Sequence, residues 1–292
     1  MTISVVTVLH DSGEQVGGMI DSLALLGEPA PELICVDSGS SDGGPDLARE
    51  RGATVIEMEG NVGFGAASNA GVAAASGEAC VLLNPDTRLL DAGLRRLATA
   101  AVAGRVILAP RLLDSDGSLQ RSAHPVPGSL LAIAAAVVPP RVMPEALRLR
   151  LEPFRADRPV EAGWAIGACL VAATGLLREL GPFDPGTFLY AEDLDLCLRA
   201  REAGIATVYR PDVELLHSGG HSTSRALAEA ERLAMQARRR RKVVEERLGA
   251  GALRRDDLAQ RLTFSLRAAA GRRRSENLAR RRALEVAQKS PS

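Results

Sequence analysis

Several carboxylate and amide side chains in this sequence follow directly on apolar runs. Asn84 and Asp86 flank Pro85 at the end of CVLL, and Asp37 ends the run LICV. Oxygen ligands of these types suit Mg²⁺ or Mn²⁺, which proteins commonly bind through one or two carboxylates together with substrate phosphates. Asn, Pro and Asp are also ordinary turn residues, so both a metal site and a turn remain open.

A pair of acidic residues, Glu192 and Asp193, begins the stretch EDLDLCLRAREAG. The apolar residues that follow recur at helical spacing: Leu194, Cys197 and Leu198. We predict a helix with one buried face, and we expect Asp195 and Arg199 to pair on its surface. Carboxylates at a helix entrance stabilise the helix dipole, which is one interpretation of the pair. The alternative is a general base, whose pKa would rise if another carboxylate lay nearby.

A histidine, His217, ends the apolar run VELL and precedes Ser218 and two glycines. It could complete a metal site with Asp86, or it could be a hydrogen-bonded residue of the core or surface. The residues alone leave both interpretations open.

The glycine-rich segment NVGFGAASNAG contains Gly63 and Gly65 in a GxGxxS pattern. It resembles part of a dinucleotide loop, but it follows the third predicted strand and not the first, so we reject NAD binding. We expect it to let the chain approach a phosphate-bearing ligand closely. The sequence also lacks HExxH, GxSxG and GxxxxGK[ST], which are the motifs of zinc proteases, serine hydrolases and P-loop NTPases.

The elements that position these residues alternate between strand and helix. We predict strands at 3–9, 32–39, 54–59 and 79–86, and helices at 13–26, at 45–51 and in the alanine-rich segment after the third strand. This alternation predicts a Rossmann-like α/β fold with parallel βαβ units and helices on both faces of the sheet. Ligands of such sheets bind beyond the carboxyl ends of the strands. Asp11, Asp37, Asn84 and Asp86 follow such ends, so we expect a nucleotide and a hard cation there.

The second half of the chain has a less regular pattern. A helix at 91–103 and a short strand at 106–110 precede a proline-rich excursion from about 114 to 160. GWAIGACLVAA predicts a strand, and ATVYRPDVELLHSGG predicts two short strands. From Ser224 onward the chain predicts basic helices.

The composition is that of a globular protein of 292 residues, 46% of them apolar. Cys35, Cys80, Cys169 and Cys197 are widely spaced, so we expect buried reduced thiols in a cytosolic setting, in preference to a zinc site. The start of the chain has no features of a signal peptide, and the longest apolar stretch, 130–138, is too short to span a bilayer.

Charge is unevenly distributed although the formal net charge is zero. Residues 222–292 contain 19 Lys and Arg against 8 Asp and Glu, whereas residues 1–221 contain 17 against 28. The basic tail could bind an anionic lipid surface, form a solvated helical face that balances the acidic body, or bind nucleic acid. A single aromatic residue and no base-reading motif argue against nucleic acid.

Six segments, taken in order, resemble the family 2 inverting glycosyltransferases of GT-A fold, and among them the bacterial rhamnosyltransferase-like branch. The segments are VDSGSSDGG, NVGFGAASNAGVAAASGE, LLNPDT, GWAIGACLV, GPFDPGTFLYAEDLDLCLRAREAG and LHSGGHST. The resemblance implies a GT-A domain at 1–221, divided into a nucleotide-sugar half at 1–110 and an acceptor half at 111–221. A basic helical C-terminal extension would follow at 222–292.

The same resemblance implies a role for each matching residue. The nucleotide-sugar contacts would be His10, Asp11, Asp37, Asn61, Gly63, Asn69 and Asn84. Asp86 and His217 match metal ligands, and Asp193 matches the general base, with Glu192 beside it. The acceptor side would include Trp164 and Gly167. Two departures stand out: His10-Asp11 replaces an aromatic-Asn pair, and Asn84 replaces the first Asp of the DxD motif.

The implied function is the inverting, metal-dependent transfer of a sugar from a dTDP- or UDP-sugar. Branch similarity points to L-rhamnose, to a glycan or polyprenyl-diphosphate-linked acceptor and to cell-envelope polysaccharide synthesis. Mg²⁺ or Mn²⁺ would be the cofactor, and the basic extension would hold the enzyme on the inner face of the membrane.

Two other functions make different demands on the sequence. A nucleotidyltransferase should carry a basic glycine-rich loop after its first strand, but LHDSGEQVGG contains no Arg or Lys. A catalytically inactive binding protein should have lost Asp86 or Asp193, yet both are present.

Overall fold

The computed structural model describes residues 1–138, 142–184, 189–219, 229–271 and 273–289. The strands are β1 (Ile3–Leu9), β2 (Glu32–Asp37), β3 (Thr54–Glu57), β4 (Ala79–Leu83), β5 (Thr87–Leu89), β6 (Ile107–Leu113), β7 (Ala123–His124), β8 (Val160–Ala162), β9 (Trp164–Ala165), β10 (Cys169–Ala173) and β11 (Thr207–His217). The helices are α1 (Gly13–Leu23), α2 (Gly44–Glu50), α3 (Phe64–Ala74), α4 (Gly93–Gly104), α5 (Leu130–Val137), α6 (Glu145–Leu151), α7 (Thr174–Leu180), α8 (Glu192–Glu202), α9 (Glu229–Ala269) and α10 (Arg274–Lys289).

The main sheet has nine strands in the order β3-β2-β1-β4-β10-β6-β11-β5, with β8 added beside β11. The first four strands are mutually parallel, as their alternation with helices predicts. β10 then lies antiparallel between β4 and β6. The small pair β7-β9 forms a second sheet. The predicted α/β architecture is confirmed.

Helices cover both faces of the main sheet because side chains alternate along each strand. On β1, Val5 and Leu9 belong to a core with α1, α2 and α4, whereas Val6 belongs to a core with α3, α7 and α8. α3 approaches closely: a Cβ on Gly71 would lie 2.3 Å from Cγ1 of Val6. The absence of a side chain at Gly71 therefore lets α3 pack directly against β1.

Two sequence predictions for the second half are corrected. Residues 207–217 form one strand, not two, because β11 stays paired through a register irregularity between Arg210 and Glu214. Pro211 lies inside this irregularity, where the missing N–H costs no ladder bond. The excursion at 114–160 is more regular than expected: it contains β7, α5 and α6, and β8 begins at its end. The prediction of buried cysteines with free thiols is confirmed.

The C-terminal helices form a compact unit against the rest of the protein. α9 reverses at Gly249, whose φ of 80° and ψ of 166° are not helical. Arg240 and Asp256 are paired at 2.8 Å although a straight helix would separate them by about 24 Å. α9 is therefore a hairpin of a first arm (229–248) and a second arm (250–269), and α10 packs against it. The predicted domain boundary at 221/222 lies outside the described residues.

None of the described helices is both long enough and apolar enough to cross a membrane.

Candidate active site

A cavity of about 670 Å³ opens where β1 and β4 end at the sheet edge. It is lined by nine of the predicted site residues: His10, Asn61, Gly63, Asn84, Asp86, Gly167, Glu192, Asp193 and His217. These residues are far apart in sequence and meet because strand ends, helix starts and the loops between them share one edge of the sheet.

Asp86 and His217 face each other on one side of this cavity. β11 pairs with β5 so that His217 lies opposite Thr87, the residue after Asp86. Nε2 of His217 is 3.4 Å from Oδ1 of Asp86, and both side chains are largely buried. The antiparallel pairing of β11 with β5 therefore places the imidazole of His217 beside the end of the Asn-Pro-Asp turn.

Gln120 decides which nitrogen of His217 carries the proton. Nε2 of Gln120 donates to Oδ1 of Asp114 at 2.7 Å and to the backbone oxygen of His217 at 3.2 Å. Because both partners are acceptors, Oε1 of Gln120 is the atom that faces Nδ1 of His217, at 2.8 Å. Nδ1 therefore donates, and in the neutral imidazole Nε2 presents its lone pair toward Asp86.

This arrangement fits a divalent cation. Burial disfavours the charged form of Asp86, but the contact with His217 and nearby backbone amides outweigh it, so the pKa of Asp86 lies below its ordinary value. Its buried Oδ1 accepts no hydrogen bond within the described residues. A cation shared by Oδ1 of Asp86 and Nε2 of His217 would satisfy both atoms, and either a divalent metal ion or a proton on Nε2 could supply that charge.

The protein supplies only part of a coordination shell. Among the described residues, no group of three or more His, Cys, Asp or Glu side chains is placed to hold a metal ion. Asp86, His217 and the amide of Asn84 would leave positions for other oxygen ligands. Mg²⁺ and Mn²⁺ sites that are completed by a substrate diphosphate have this composition.

Glu192 and Asp193 lie at the start of α8, beside β9 and the loop that precedes β10. The backbone N–H of Gly167 donates to Oδ2 of Asp193 at 2.9 Å, and that of Leu194 donates to Oδ1 at 2.7 Å. The buried Oε2 of Glu192 has no partner within the described residues. The interpretation as a stabiliser of the helix dipole and the interpretation as part of a catalytic pair both stay predictions.

The environment of these two carboxyl groups favours their protonated forms. Burial raises the pKa of Glu192 to about 8, and the charge of neighbouring Asp193 adds to the rise. Burial also raises the pKa of Asp193, although the amides of Gly167 and Leu194 oppose it by stabilising the charged form. A carboxylate with a raised pKa is a stronger base, which suits proton removal from a hydroxyl group.

The backbone just before this pair adopts an uncommon conformation. Tyr190 and Ala191 both have positive φ angles, 72° and 68°. Each non-glycine residue held in this region costs on the order of 1 kcal/mol, and such residues concentrate at functional sites. The turn orients the first residues of α8 toward the cavity.

A hydrogen-bond network shapes the opposite wall of the cavity. Nδ1 of His10 donates to the backbone oxygen of Ser38 at 3.0 Å, which leaves Nε2 to accept from the amide of Asn61 at 3.1 Å. Oδ1 of Asn61 accepts from the N–H of Gly63 at 3.1 Å. The network fixes the start of α3, where Gly63 and Phe64 line the cavity. Helix N-termini bind phosphate groups in many proteins.

Three predicted nucleotide contacts, Asp11, Asp37 and Asn69, do not line the cavity. Oδ1 of Asp11 accepts from the N–H of Ser41 at 2.7 Å, and that bond lowers the pKa of Asp11. Oδ1 of Asp37 accepts from the N–H of Ser40 at 2.9 Å. Asn69 exchanges two hydrogen bonds with the backbone of Phe183. All three hold loops together, and their role as nucleotide contacts stays a prediction.

Trp164, which was predicted on the acceptor side, lines a second cavity of about 660 Å³ that also borders Asp193. Its ring stacks on His124 with centroids 4.3 Å apart, and the guanidinium of Arg240 lies over it at 5.9 Å. Burial, with the charge of Arg240, lowers the pKa of His124 to about 3, so His124 is neutral. Both arms of α9 and part of α10 form the other wall.

The arginines of α9 face inward more than the sequence predicts. Arg240 makes a bidentate pair with Asp256, at 2.8 and 3.0 Å. Arg247 reaches α8, where its Nε donates to Asp195 at 2.7 Å. Asp195 and Arg199 do pair, at 2.8 Å, but the prediction that they lie on the surface is wrong. Arg247 of α9 covers Asp195, and Arg199 donates to the backbone oxygens of Leu180 and Pro182.

Two contributors to this site were not predicted from the sequence. Gln120 lies in the irregular excursion, 97 residues from His217, where no periodicity singles it out. Arg240 belongs to a basic run, ARRRRK, in which charge counting treats every arginine alike. The GAG at 249–251 is a signal that could have revealed the hairpin that brings Arg240 to Trp164.

The order of the strands and the helices on both faces of the sheet are those of the GT-A fold. Residues 4–152 match the model of the family described as "Glycosyl transferase family 2". The chain belongs to this family, and it is a glycosyltransferase. Of the three functions considered from the sequence, this is the one that family membership supports.

Similarity to a curated relative extends beyond the matched segment. The chain is 33% identical to the N-acetylglucosaminyl-diphospho-decaprenol L-rhamnosyltransferase of Mycobacterium tuberculosis (strain H37Rv), over 76% of this chain and 78% of the relative. This similarity agrees with the rhamnosyltransferase-like branch identified from the motifs.

Solved structures show the same fold at low identity. One is the mannosyltransferase PcManGT of Pyrobaculum calidifontis in complex with GDP-Man and Mn²⁺, with a TM-score of 0.62 and 16% identity, over 98% of this chain and 85% of that one. Another is glucosyl-3-phosphoglycerate synthase of Mycobacterium tuberculosis in complex with Mn²⁺, UDP and glucosyl-3-phosphoglycerate. Its TM-score is 0.54 at 20% identity, over 84% of this chain and 80% of that one.

Proposed function

We propose that this glycosyltransferase moves L-rhamnose, with inversion and with the help of Mg²⁺ or Mn²⁺, from a dTDP- or UDP-linked donor. The proposed acceptor is a hydroxyl group of a sugar linked through diphosphate to a polyprenyl chain, in cell-envelope polysaccharide synthesis at the inner face of the membrane. The observation that carries the proposal is that one cavity holds Asp86 with His217 and also Asp193. The relative with 33% identity supports the choice of sugar and acceptor.

In this proposal the donor occupies the first cavity. Asp86 and His217, with Asn84, would hold the cation, which would supply positive charge to the diphosphate when bound. The wall formed by His10, Asn61 and the start of α3 would bind the nucleotide.

The acceptor occupies the second cavity. Asp193 borders both cavities, so it lies between the donor and the acceptor. Asp193 takes the proton of the acceptor hydroxyl as its oxygen bonds to the anomeric carbon. The bond from that carbon to the diphosphate oxygen breaks on the opposite face, and the nucleoside diphosphate leaves. One displacement inverts the configuration. Gly167, through its N–H, holds the Asp193 carboxylate in place.

The test is transfer to a synthetic prenyl-diphosphate-linked N-acetylglucosamine with each donor, followed by NMR of the product's anomeric configuration. We expect transfer that is abolished by EDTA, restored by Mn²⁺ or Mg²⁺, and inverted relative to the donor. Retained configuration would contradict the single displacement, and full activity in EDTA would contradict the cation site.

A further inference from the structure

An apolar helix, α5, lies on the protein surface beside the second cavity. Ser129 caps its first turn, and the helix reads LLAIAAAV without a polar residue, yet none of its residues is buried. Leu130 is 75% exposed and Val137 is 61% exposed. These two residues are seven apart and share one face with Ala134. The outward face of α5 is therefore wholly aliphatic.

The exposed apolar surface is concentrated around this helix. Among the described residues, five of the twelve exposed large apolar side chains lie between positions 130 and 147. The five are Leu130, Val137, Val138, Val142 and Leu147. α5 packs against α6, which carries Leu147, and against α9, which adds exposed Leu258. Single exposed apolar residues are common on protein surfaces, but a concentration of them marks an interaction surface.

Positive charge borders the aliphatic surface. Arg255 is exposed, and its Nε donates to the backbone oxygen of Gly128 at 2.7 Å, so its guanidinium lies at the start of α5. Arg254 and Arg150 are exposed on the neighbouring helices. Aliphatic side chains flanked by arginines suit an anionic bilayer. A protein partner would be expected to select Tyr, Trp, Phe or Met at the centre of such a face, and the outward face of α5 has none.

The surface is continuous with the second cavity. Ala132, on the inner side of α5, lines that cavity together with Ala259 of α9, and Asp193 borders it at the other end. The distance from the outward face of α5 to the cavity is therefore the thickness of one helix, roughly 10 Å. An acceptor sugar could reach Asp193 while its lipid chain stays in the bilayer.

We propose that α5 is the membrane-docking element of this enzyme and inserts its outward aliphatic face into an anionic phospholipid bilayer. This inference rests on the proposed lipid-linked acceptor. It moves the membrane contact from the arginine-rich runs, in which Arg240 and Arg241 pair with Asp256 and Asp257, to a short apolar helix flanked by a few arginines. The arginines would set the preference for anionic lipid, and α5 would supply the apolar contact.

The test is flotation of the full chain with vesicles of phosphatidylcholine, with or without about 30% phosphatidylglycerol. The main variant is Leu130→Glu with Val137→Glu, and a milder one places Ser at both positions. The matched control is Leu25→Glu with Leu90→Glu, because those side chains are 48% and 45% exposed but belong to the N-terminal half. Thermal unfolding checks that each variant folds.

We expect the wild type to bind anionic vesicles and both α5 variants to lose binding, the Glu variant by at least about tenfold, while the control keeps it. Equal binding by wild type and α5 variants, or no binding by the wild type, would overturn the proposal. So would a wild-type dimer that the α5 variants convert to monomer, because the face would then be an interface between copies.

Failure of the proposed function gives a different result. Transfer to a short-chain, detergent-free acceptor should be unchanged in the α5 variants, since neither side chain borders the cavities. Binding to vesicles that depends on α5, with no transfer to any prenyl-diphosphate acceptor, would keep the docking surface and refute the proposed acceptor.

Discussion

Nε2 of His217 lies 3.4 Å from Oδ1 of Asp86, and Nδ1 of the same ring donates to Oε1 of Gln120. In the neutral imidazole, neither Nε2 nor Oδ1 therefore has a proton to donate. A cation that both atoms share, either a proton on Nε2 or a metal ion, would satisfy them. The proposed cation site thus depends on the side-chain amide of Gln120, which lies outside the sequence motifs of the family.

Gln120→Ala tests this dependence. Loss of Oε1 frees the imidazole to rotate or to place its proton on Nε2, which would block a metal ligand. We expect the Mn²⁺-dependent part of dTDP or UDP binding, measured by calorimetry, to weaken by about 10- to 100-fold. Gln288→Ala, on α10 and bonded to Arg261, is the control. Unchanged metal-dependent affinity in the Gln120 variant would refute the cation site.

Asp193→Asn separates the chemistry from donor binding. The amide keeps the size of the side chain but cannot take a proton, so transfer should fall by about 10²- to 10⁴-fold while metal-dependent nucleotide binding is kept. Asp86→Ala should show the reverse order of effects, with nucleotide binding lost first. The two measurements are rate of transfer and calorimetric affinity. Normal turnover by Asp193→Asn would show that another residue is the base.

The raised pKa of Glu192 predicts a dependence of stability on pH. Between its unfolded value near 4.5 and about 8, the folded protein binds more protons than the unfolded chain. The contribution of Glu192 to stability is therefore fully present below the unfolded pKa and is lost as pH rises through the folded one. In Glu192→Gln this loss is absent.

Urea unfolding of the wild type and Glu192→Gln, at about pH 5 and about pH 9, measures the effect. We expect the variant to gain stability relative to the wild type at the higher pH, on the order of a few kcal/mol. Parallel pH profiles would mean that Glu192 is solvated in solution and that its carboxyl group is not held in a dry site.

The strands and helices of the first half of the fold could be predicted well because they follow from the apolar and polar pattern of neighbouring residues. Apolar runs give strands, and the polar residues after β1, β2 and β4 do lie at one sheet edge. The local pattern does not predict which of these side chains face the cavity. Asp11 and Asp37 follow strands as predicted, but both accept from serine N–H groups of the loop after β2, Asp37 within its own loop and Asp11 from the neighbouring one. Turn formation and ligand binding use the same residue types, and only the tertiary structure separates them.

The acceptor side was less predictable because it depends on long-range packing. Trp164 could be assigned only by resemblance, and its partners His124 and Arg240 come from a short strand and a distant helix. The excess of Lys and Arg in residues 222–292 predicted a solvated helical face or a tail bound to the membrane. The structure instead pairs Arg240 with Asp256 across a hairpin, which no helical periodicity reveals. The bend at Gly249 therefore determines where the basic residues lie.

Gly249→Ala tests that bend. At φ 80° and ψ 166° a Cβ is strained, and only glycine adopts this conformation readily. We expect the variant to lose about 1–3 kcal/mol of stability, measured by urea unfolding. If the strain opens the hairpin, the Arg240–Asp256 pair and the wall of the second cavity loosen, so the Michaelis constant for the acceptor should rise while donor binding stays unchanged.

The control is two residues away. Gly251 lies in the second arm with an ordinary φ, and a Cβ there would meet only the end of Arg255 at 3.6 Å. Gly251→Ala should therefore be neutral or stabilise the protein by up to about 1 kcal/mol, since alanine favours a helix. If both variants behave alike, the chain does not need a reversal at Gly249, and the antiparallel placement of the two arms is wrong. If only Gly249→Ala loses stability and acceptor affinity, the shape of the acceptor cavity depends on the conformation of this one glycine.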